Sequence, residues 1–352
     1  MNRKQFIKKS AFTTAFAALI PSVSLAANTQ QKYSYANRLL NAYYLRAQMY
    51  TMVPKQVRED MKWMAGIGTN IISISVLEQD FYAARENINI IINEASKEGM
   101  KIFAIPGRWG GIVAGGPKVP SLFTVLNQQT WMKSADGRYV DSSITGRISS
   151  IFHQDTTDFI CNNLEQLIKQ WPVSGIIWDE PKTIQTDFSP EAQSVYGSNP
   201  SYEQCVDQNV RFYSKVNARI KSINPQIVTN LFIYAQYEDM VVNKLATIEN
   251  LDYFGCDGRP WRKEDGGTTE GKDKYLLGNG ERFLDAAHKN GKKSLWVSEN
   301  HNMKDKDVPL MAKRMPEVLS KPVDQLIYFY YPRNLETPDY VMNTLAKQLR
   351  KL

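Results

Sequence analysis

One pattern constrains this chain more than any other: a short apolar strand followed by a helix-spaced segment, repeated eight times. The strands read as Leu39–Leu45, Asn70–Val76, Lys101–Pro106, Gly175–Trp178, Gln226–Tyr234, Leu251–Cys256, 293–298 and 325–331. Helical spacing follows each, over 55–67, 81–98, 153–170, 203–223, 237–247, 280–290, 306–319 and 336–350. The strands are short, near-continuous apolar runs that stop at Gly, Pro or polar residues, as strands buried on both faces do. Strict alternation predicts a parallel sheet. Eight units ending on a helix fit a closed (β/α)8 barrel better than an open doubly wound sheet. No GxGxxG follows the first strand and no GxxxxGK[ST] occurs, so two nucleotide-binding readings lose their main support. With no convincing linker, residues 27–352 read as a single barrel domain.

The first 26 residues read differently. A basic stretch at 3–9 (RKQFIKK) precedes a short, mostly apolar run, and Ser24-Leu25-Ala26 ends in a small residue suited to cleavage. This is the pattern of an export signal, with an arginine–lysine pair that looks like a variant twin-arginine leader. It places the mature protein in the periplasm or outside the cell. The leader also distorts the charge: the formal +7 includes Arg3, Lys4, Lys8 and Lys9, and removing them leaves 39 basic against 36 acidic residues. A balance of +3 gives no reason to expect a nucleic-acid partner, which calls for a basic patch or stripe. No apolar run is long enough for a transmembrane helix in the mature chain. Cys161, Cys205 and Cys256 leave at least one thiol unpaired and have no metal-ligand spacing.

The 326 residues after Ala26 exceed the ~250 of a typical barrel. The surplus lies in three loops, about 107–151, 181–202 and 257–279, and all three follow strands. In a barrel such loops meet at the C-terminal face, where active sites are built. The strand ends carry acids there. Gly175-Ile-Ile-Trp runs directly into Asp179 and Glu180 before Pro181 stops pairing, and strand seven ends in Glu299 with Asn300 and His301 beside it. Unpaired acids are costly in an apolar barrel, so packing does not favour them. Strands four and seven lie on opposite sides of the barrel mouth, and their carboxylates therefore face each other. Cleavage of a glycosidic bond needs that arrangement, one carboxylic acid protonating the departing oxygen while another attacks carbon or activates water.

Polar and aromatic residues recur at other strand ends. Asn41, Tyr43 and Tyr44 lie at the first exit; Arg108 and Trp109 follow the third strand; Asp257, Arg259 and Trp261 follow the sixth; Tyr331 and Arg333 end the eighth. Trp109 could stack on a sugar face while Arg108 binds a hydroxyl or a uronate. Trp178, Trp296, Tyr328 and Tyr330 could instead fill the barrel or pack its helices. With only His153, His288 and His301, a histidine-built metal centre is not expected, and no cofactor is implied. The charged, Gly-rich segment 264–274 reads as a solvated flap rather than a phosphate cradle.

In this layout the chain resembles the secreted bacterial glycoside hydrolases built on a TIM barrel. It is most similar to the clan whose acid/base follows strand four and whose nucleophile follows strand seven. The resemblance implies a carbohydrate substrate, Glu180 as general acid/base, Glu299 as nucleophile and a retaining mechanism. Members carry Asn before the strand-four Glu, where this chain has Asp179. An ionised Asp accepts but cannot donate a hydrogen bond, and its charge would favour protonation of Glu180. A rival assignment pairs Asp179 with Asp257, as in barrel α-glycosidases. A polysaccharide lyase and a non-catalytic carbohydrate-binding barrel are the alternatives from other classes.

Overall fold

The computed structural model describes residues 38–45, 52–261 and 275–350. The export signal expected over 1–26 and the flap over 264–274 lie outside these residues. All described residues fall within one compact unit, Lys32–Leu352.

Eight parallel strands close into a barrel: β1 Leu39–Tyr44, β2 Ile71–Val76, β3 Lys101–Pro106, β4 Gly175–Asp179, β5 Val228–Tyr234, β6 Tyr253–Gly258, β7 Lys293–Ser298 and β8 Gln325–Phe329. The ring runs β1–β8–β7–β6–β5–β4–β3–β2 and returns to β1. Outside it lie α1 Pro54–Ala65, α2 Arg85–Lys97, α3 Gln154–Gln170, α4 Tyr202–Ile223, α5 Asp239–Leu245, α6 Glu281–Lys289, α7 Val308–Ser320 and α8 Pro338–Leu349. The molecule is therefore the (β/α)8 TIM barrel that the alternating sequence predicts. The surplus after β3 forms a short helix, Leu122–Leu126, and a small antiparallel pair, Asp141–Ser142 with Gly146–Arg147. The loop after β4 carries a further helix, Pro190–Tyr196. No helix among the described residues is long and apolar enough to cross a membrane.

Strand ends shift from their expected positions for local reasons. β6 starts at Tyr253 because Asp252 turns its carboxylate back to the Thr229 amide (2.8 Å) and to Lys221 (2.6 Å). It then continues through Asp257, pairing with Tyr234 and Val297. β8 ends at Phe329, short of the expected Tyr331, whose φ of 43° is left-handed and cannot continue a strand.

Alternation along the strands separates two faces. Trp178 points out to the helices: its indole donates to Asn217 Oδ1 at 2.8 Å and meets the Tyr213 ring at 5.3 Å, both on α4. Truncation by Trp178→Ala should cost about 3–5 kcal/mol, read as a lowered urea midpoint at unchanged slope. Inward residues form the barrel's own core, and part of it is polar. Gln325 donates to Asn230 at 3.2 Å, and Asn230 donates to the Ile176 carbonyl at 3.0 Å. Asn41 belongs to this interior: it is fully buried and accepts from Ser73 Oγ at 2.8 Å. Expected at the binding face, it is instead a packing residue held two positions below Tyr43.

Candidate active site

The C-terminal ends of β4, β6 and β7 bring three carboxylates together. One oxygen from each of Glu180, Asp257 and Glu299 lies within 4.8 Å of the other two. Each is placed by its strand. Asp179 is the last residue of β4, paired with Phe232. Glu180 then takes a left-handed φ of 39° while its amide donates to the Phe232 carbonyl at 3.1 Å. Such a conformation costs a non-glycine residue about 1–3 kcal/mol and persists only where its surroundings enforce it. Here Pro181 follows, and the turn aims the Glu180 side chain at the cavity that it lines. Glu299 follows β7 directly, its amide bonded to the Gly258 carbonyl at 2.9 Å.

The acids stand in different electrostatic settings. Glu180 accepts from Lys182 Nζ at 2.7 Å and from the Tyr234 hydroxyl, which itself accepts from Lys182 at 2.8 Å. A cation and a second donor on one carboxylate favour its charged form. Glu299 is buried, with Arg259 Nε at 3.9 Å and His301 Nε2 at 4.0 Å. Asp179 is the contrasting case. Burial, and secondarily the Glu180 charge, push its carboxyl up to about 7, against Lys182, a 2.8 Å bond from the Tyr43 hydroxyl, and Arg108. A carboxyl pushed up toward neutrality thus sits beside one that accepts from a lysine. Environments that separate the pKa values of neighbouring acids are how a site divides donor from acceptor.

These groups open onto a cavity of about 470 Å³. Tyr43, Arg108, Asp179, Glu180, Tyr234, His301, Phe329 and Arg333 line it. One wall is the loop after β3, which approaches closely because Gly115 has φ 76° and no side chain. A Cβ there would lie 2.6 Å from Ile105 Cγ2 and 3.1 Å from Asp179 Oδ2. Tyr43 stacks on Phe329 at 4.8 Å and meets Phe232 edge-on at 6.3 Å, which holds its hydroxyl on Asp179.

Of the residues singled out from sequence, Tyr43, Arg108, Asp179, Glu180 and Arg333 line the cavity, while Asp257, Glu299 and Arg259 adjoin it. The others do not line it. Trp109 is fully buried against Phe81 (5.8 Å) and Phe159 (6.4 Å), and cannot be a sugar platform. Trp261 is buried too. Tyr44 points outward, its hydroxyl on Asp60 at 2.6 Å. Asn300 bridges the Phe329 amide and carbonyl, both at 2.8 Å, and so substitutes for a strand partner. Tyr331 is exposed and bonded to Asp339. Sequence reasoning missed Tyr234 and His301, which line the wall, and Lys182, which donates to Glu180. Tyr234 was findable by the strand-end rule, since it closes β5; Lys182 was not, because its reach to Glu180 depends on the turn.

Among the described residues, Glu180, Asp257 and Glu299 are the acids spaced to offer a cation one oxygen each. Lys182 and Arg259 already supply positive charge to two of them. His153 caps α3 by accepting from the Asp155 amide, and His288 sits on the surface near Asp324.

No family model and no curated protein matches the chain. Solved structures do. The catalytic domain of β-amylase from Paenibacillus polymyxa superposes with TM-score 0.61 at 8% identity, over 89% of this chain and 98% of that one. A β-galactosidase from Rahnella sp. R3 gives 0.62 at 13% identity, over 90% of this chain and 56% of its own. α-L-Fucosidase isoenzyme 2 from Paenibacillus thiaminolyticus gives 0.55 at 14%, over 90% and 48%. The chain thus spans about half of the latter two proteins. At these identities the likeness is one of fold: the chain shares the TIM barrel on which several glycoside hydrolases are built.

Proposed function

We propose that the protein hydrolyses a glycosidic bond in this cavity, acting on a glycan met outside the cytoplasm. The observation that carries the reading is the convergence of Glu180, Asp257 and Glu299 to within 4.8 Å at the strand ends. Glycosidic cleavage is the chemistry that requires acids of opposite protonation about one sugar ring. Glu299 is the nucleophile: buried beside Arg259 and His301, it presents a carboxylate to the sugar carbon. Direct attack by Glu299 forms a covalent intermediate that water then opens from the same face, and so gives retention.

The proton donor is Asp179 rather than Glu180. Sequence reasoning gave that role to Glu180, but Glu180 accepts from Lys182 and Tyr234, donors that favour a carboxylate, whereas burial pushes Asp179 up to about 7. Asp179 gives its proton to the departing oxygen and, once ionised, takes one from the incoming water. The charge of Glu180 favours the protonated form of that carboxyl between turnovers, while Lys182 opposes it. Asp257, on the strand between β5 and β7, supports the developing positive charge at the sugar carbon.

Product analysis on a panel of glycans and aryl glycosides tests the reading. Hydrolysis releases a reducing sugar with no new double bond. An unsaturated uronide, seen by its ultraviolet absorbance, would replace it with a lyase; binding without any product would leave a carbohydrate-binding barrel.

A further inference from the structure

Among the described residues, three basic side chains line the cavity without an ion pair. Arg108 is only 3% exposed. Its Nε and Nη2 donate to the Pro117 and Gly116 carbonyls at 2.6 and 2.7 Å, while the buried Nη1 has no hydrogen-bond partner. Arg333 and Lys118, both exposed, line the same wall. Lys182 and Arg259, by contrast, are engaged by Glu180 and Glu299.

A guanidinium fixed by neutral carbonyls keeps its full charge, and a bare buried N–H is costly until a ligand meets it. The second guanidinium aggravates this. Burial first, and the Arg333 charge after it, draw the Arg108 pKa down, against Asp179 and Glu180. An anion placed between two such groups relieves their repulsion and gains charge-assisted bonds from both. The loop after β3 is consistent with this use, because Arg108 holds the Gly116–Pro117 segment that forms the cavity wall.

We infer that the cavity selects a sugar bearing an anionic substituent, a carboxylate or a sulfate, bound between Arg108 Nη1 and Arg333. The inference rests on reading the cavity as a glycosidic site, and it adds the substrate class.

Its test is calorimetric binding of glucuronate, a sulfated glucose and glucose to the full chain, with wild type and Arg333→Glu side by side. Arg333 is exposed, so the variant should fold, and thermal unfolding checks that it does. At least one charged sugar should bind wild type about tenfold or more tighter than glucose. Arg333→Glu should erase that preference. Which charged sugar gains identifies carboxylate or sulfate. Equal binding of all three, or a preference that survives Arg333→Glu, would overturn the inference. Binding needs no turnover, so a charged-sugar preference with no cleavage would sink the hydrolase reading alone. Cleavage of neutral glycosides with no charged-sugar preference would sink only this one.

Discussion

Replacing Glu299 by Gln is expected to lower kcat/KM by about 10³-fold or more while leaving the barrel folded, the scale that accompanies loss of a nucleophile. The fold should survive because Gln matches Glu in size and shape. Removing one of three crowded carboxylates also relieves repulsion with Glu180 and Asp257. The shorter Glu299→Ala leaves space where the carboxylate stood. Azide should then restore turnover of an activated aryl glycoside and yield a glycosyl azide of inverted configuration. A Glu299→Gln protein that keeps more than about a tenth of wild-type activity would remove Glu299 from the chemistry and move the assignment to Asp257.

Asp179→Asn should separate activity from stability. Loss of the proton donor is expected to cost about 10²–10⁴-fold on substrates with poor leaving groups. It should cost far less on aryl glycosides whose leaving group needs no proton. Glu180→Gln should show a weaker dependence of the same kind, since in this account Glu180 acts through Asp179. Stability should move the other way. The Asp179 carboxyl titrates near 3.8 in the unfolded chain and is pushed up to about 7 when folded. Between these values only the unfolded state gives up its proton, so wild-type stability falls as pH rises through the window and then levels off. Asn carries no charge and escapes that loss, and it can still accept the Tyr43 hydroxyl. The variant should therefore be more stable by about 2–4 kcal/mol near pH 8, with the gain gone near pH 4. Urea unfolding at the two pH values measures it. A variant less stable than wild type at both would show that Asp179 is structural. The trade is the one expected where a site keeps an unfavourable group for its chemistry.

The sequence carried the architecture because periodicity and burial act locally. Each strand-and-helix unit is written in its own apolar run, and the closed ring follows from eight of them. The same locality exposed the acids: Asp179, Glu180 and Glu299 interrupt or end apolar strands, and only the barrel's topology was needed to bring them together. What stayed illegible depended on contacts between distant segments. Trp109 has the same apparent position as Arg108, yet one indole is buried against Phe81 and Phe159 while the neighbouring guanidinium lines the cavity. Asn300 looks like a hydrogen-bonding residue at a strand end, and its amide is spent on the Phe329 backbone. The division of roles between Asp179 and Glu180 hinges on Lys182 and Tyr234, which meet Glu180 only through the left-handed turn at that residue.

The central claim is that the Glu299 carboxylate attacks the sugar carbon directly, with the strand-four acid on the opposite side. Time-resolved NMR of wild-type hydrolysis, read before the first-formed sugar mutarotates, tests it in one experiment. The account predicts a product with the anomeric configuration of the substrate. A first-formed product of opposite configuration would mean that water, not Glu299, makes the new bond, and would contradict it.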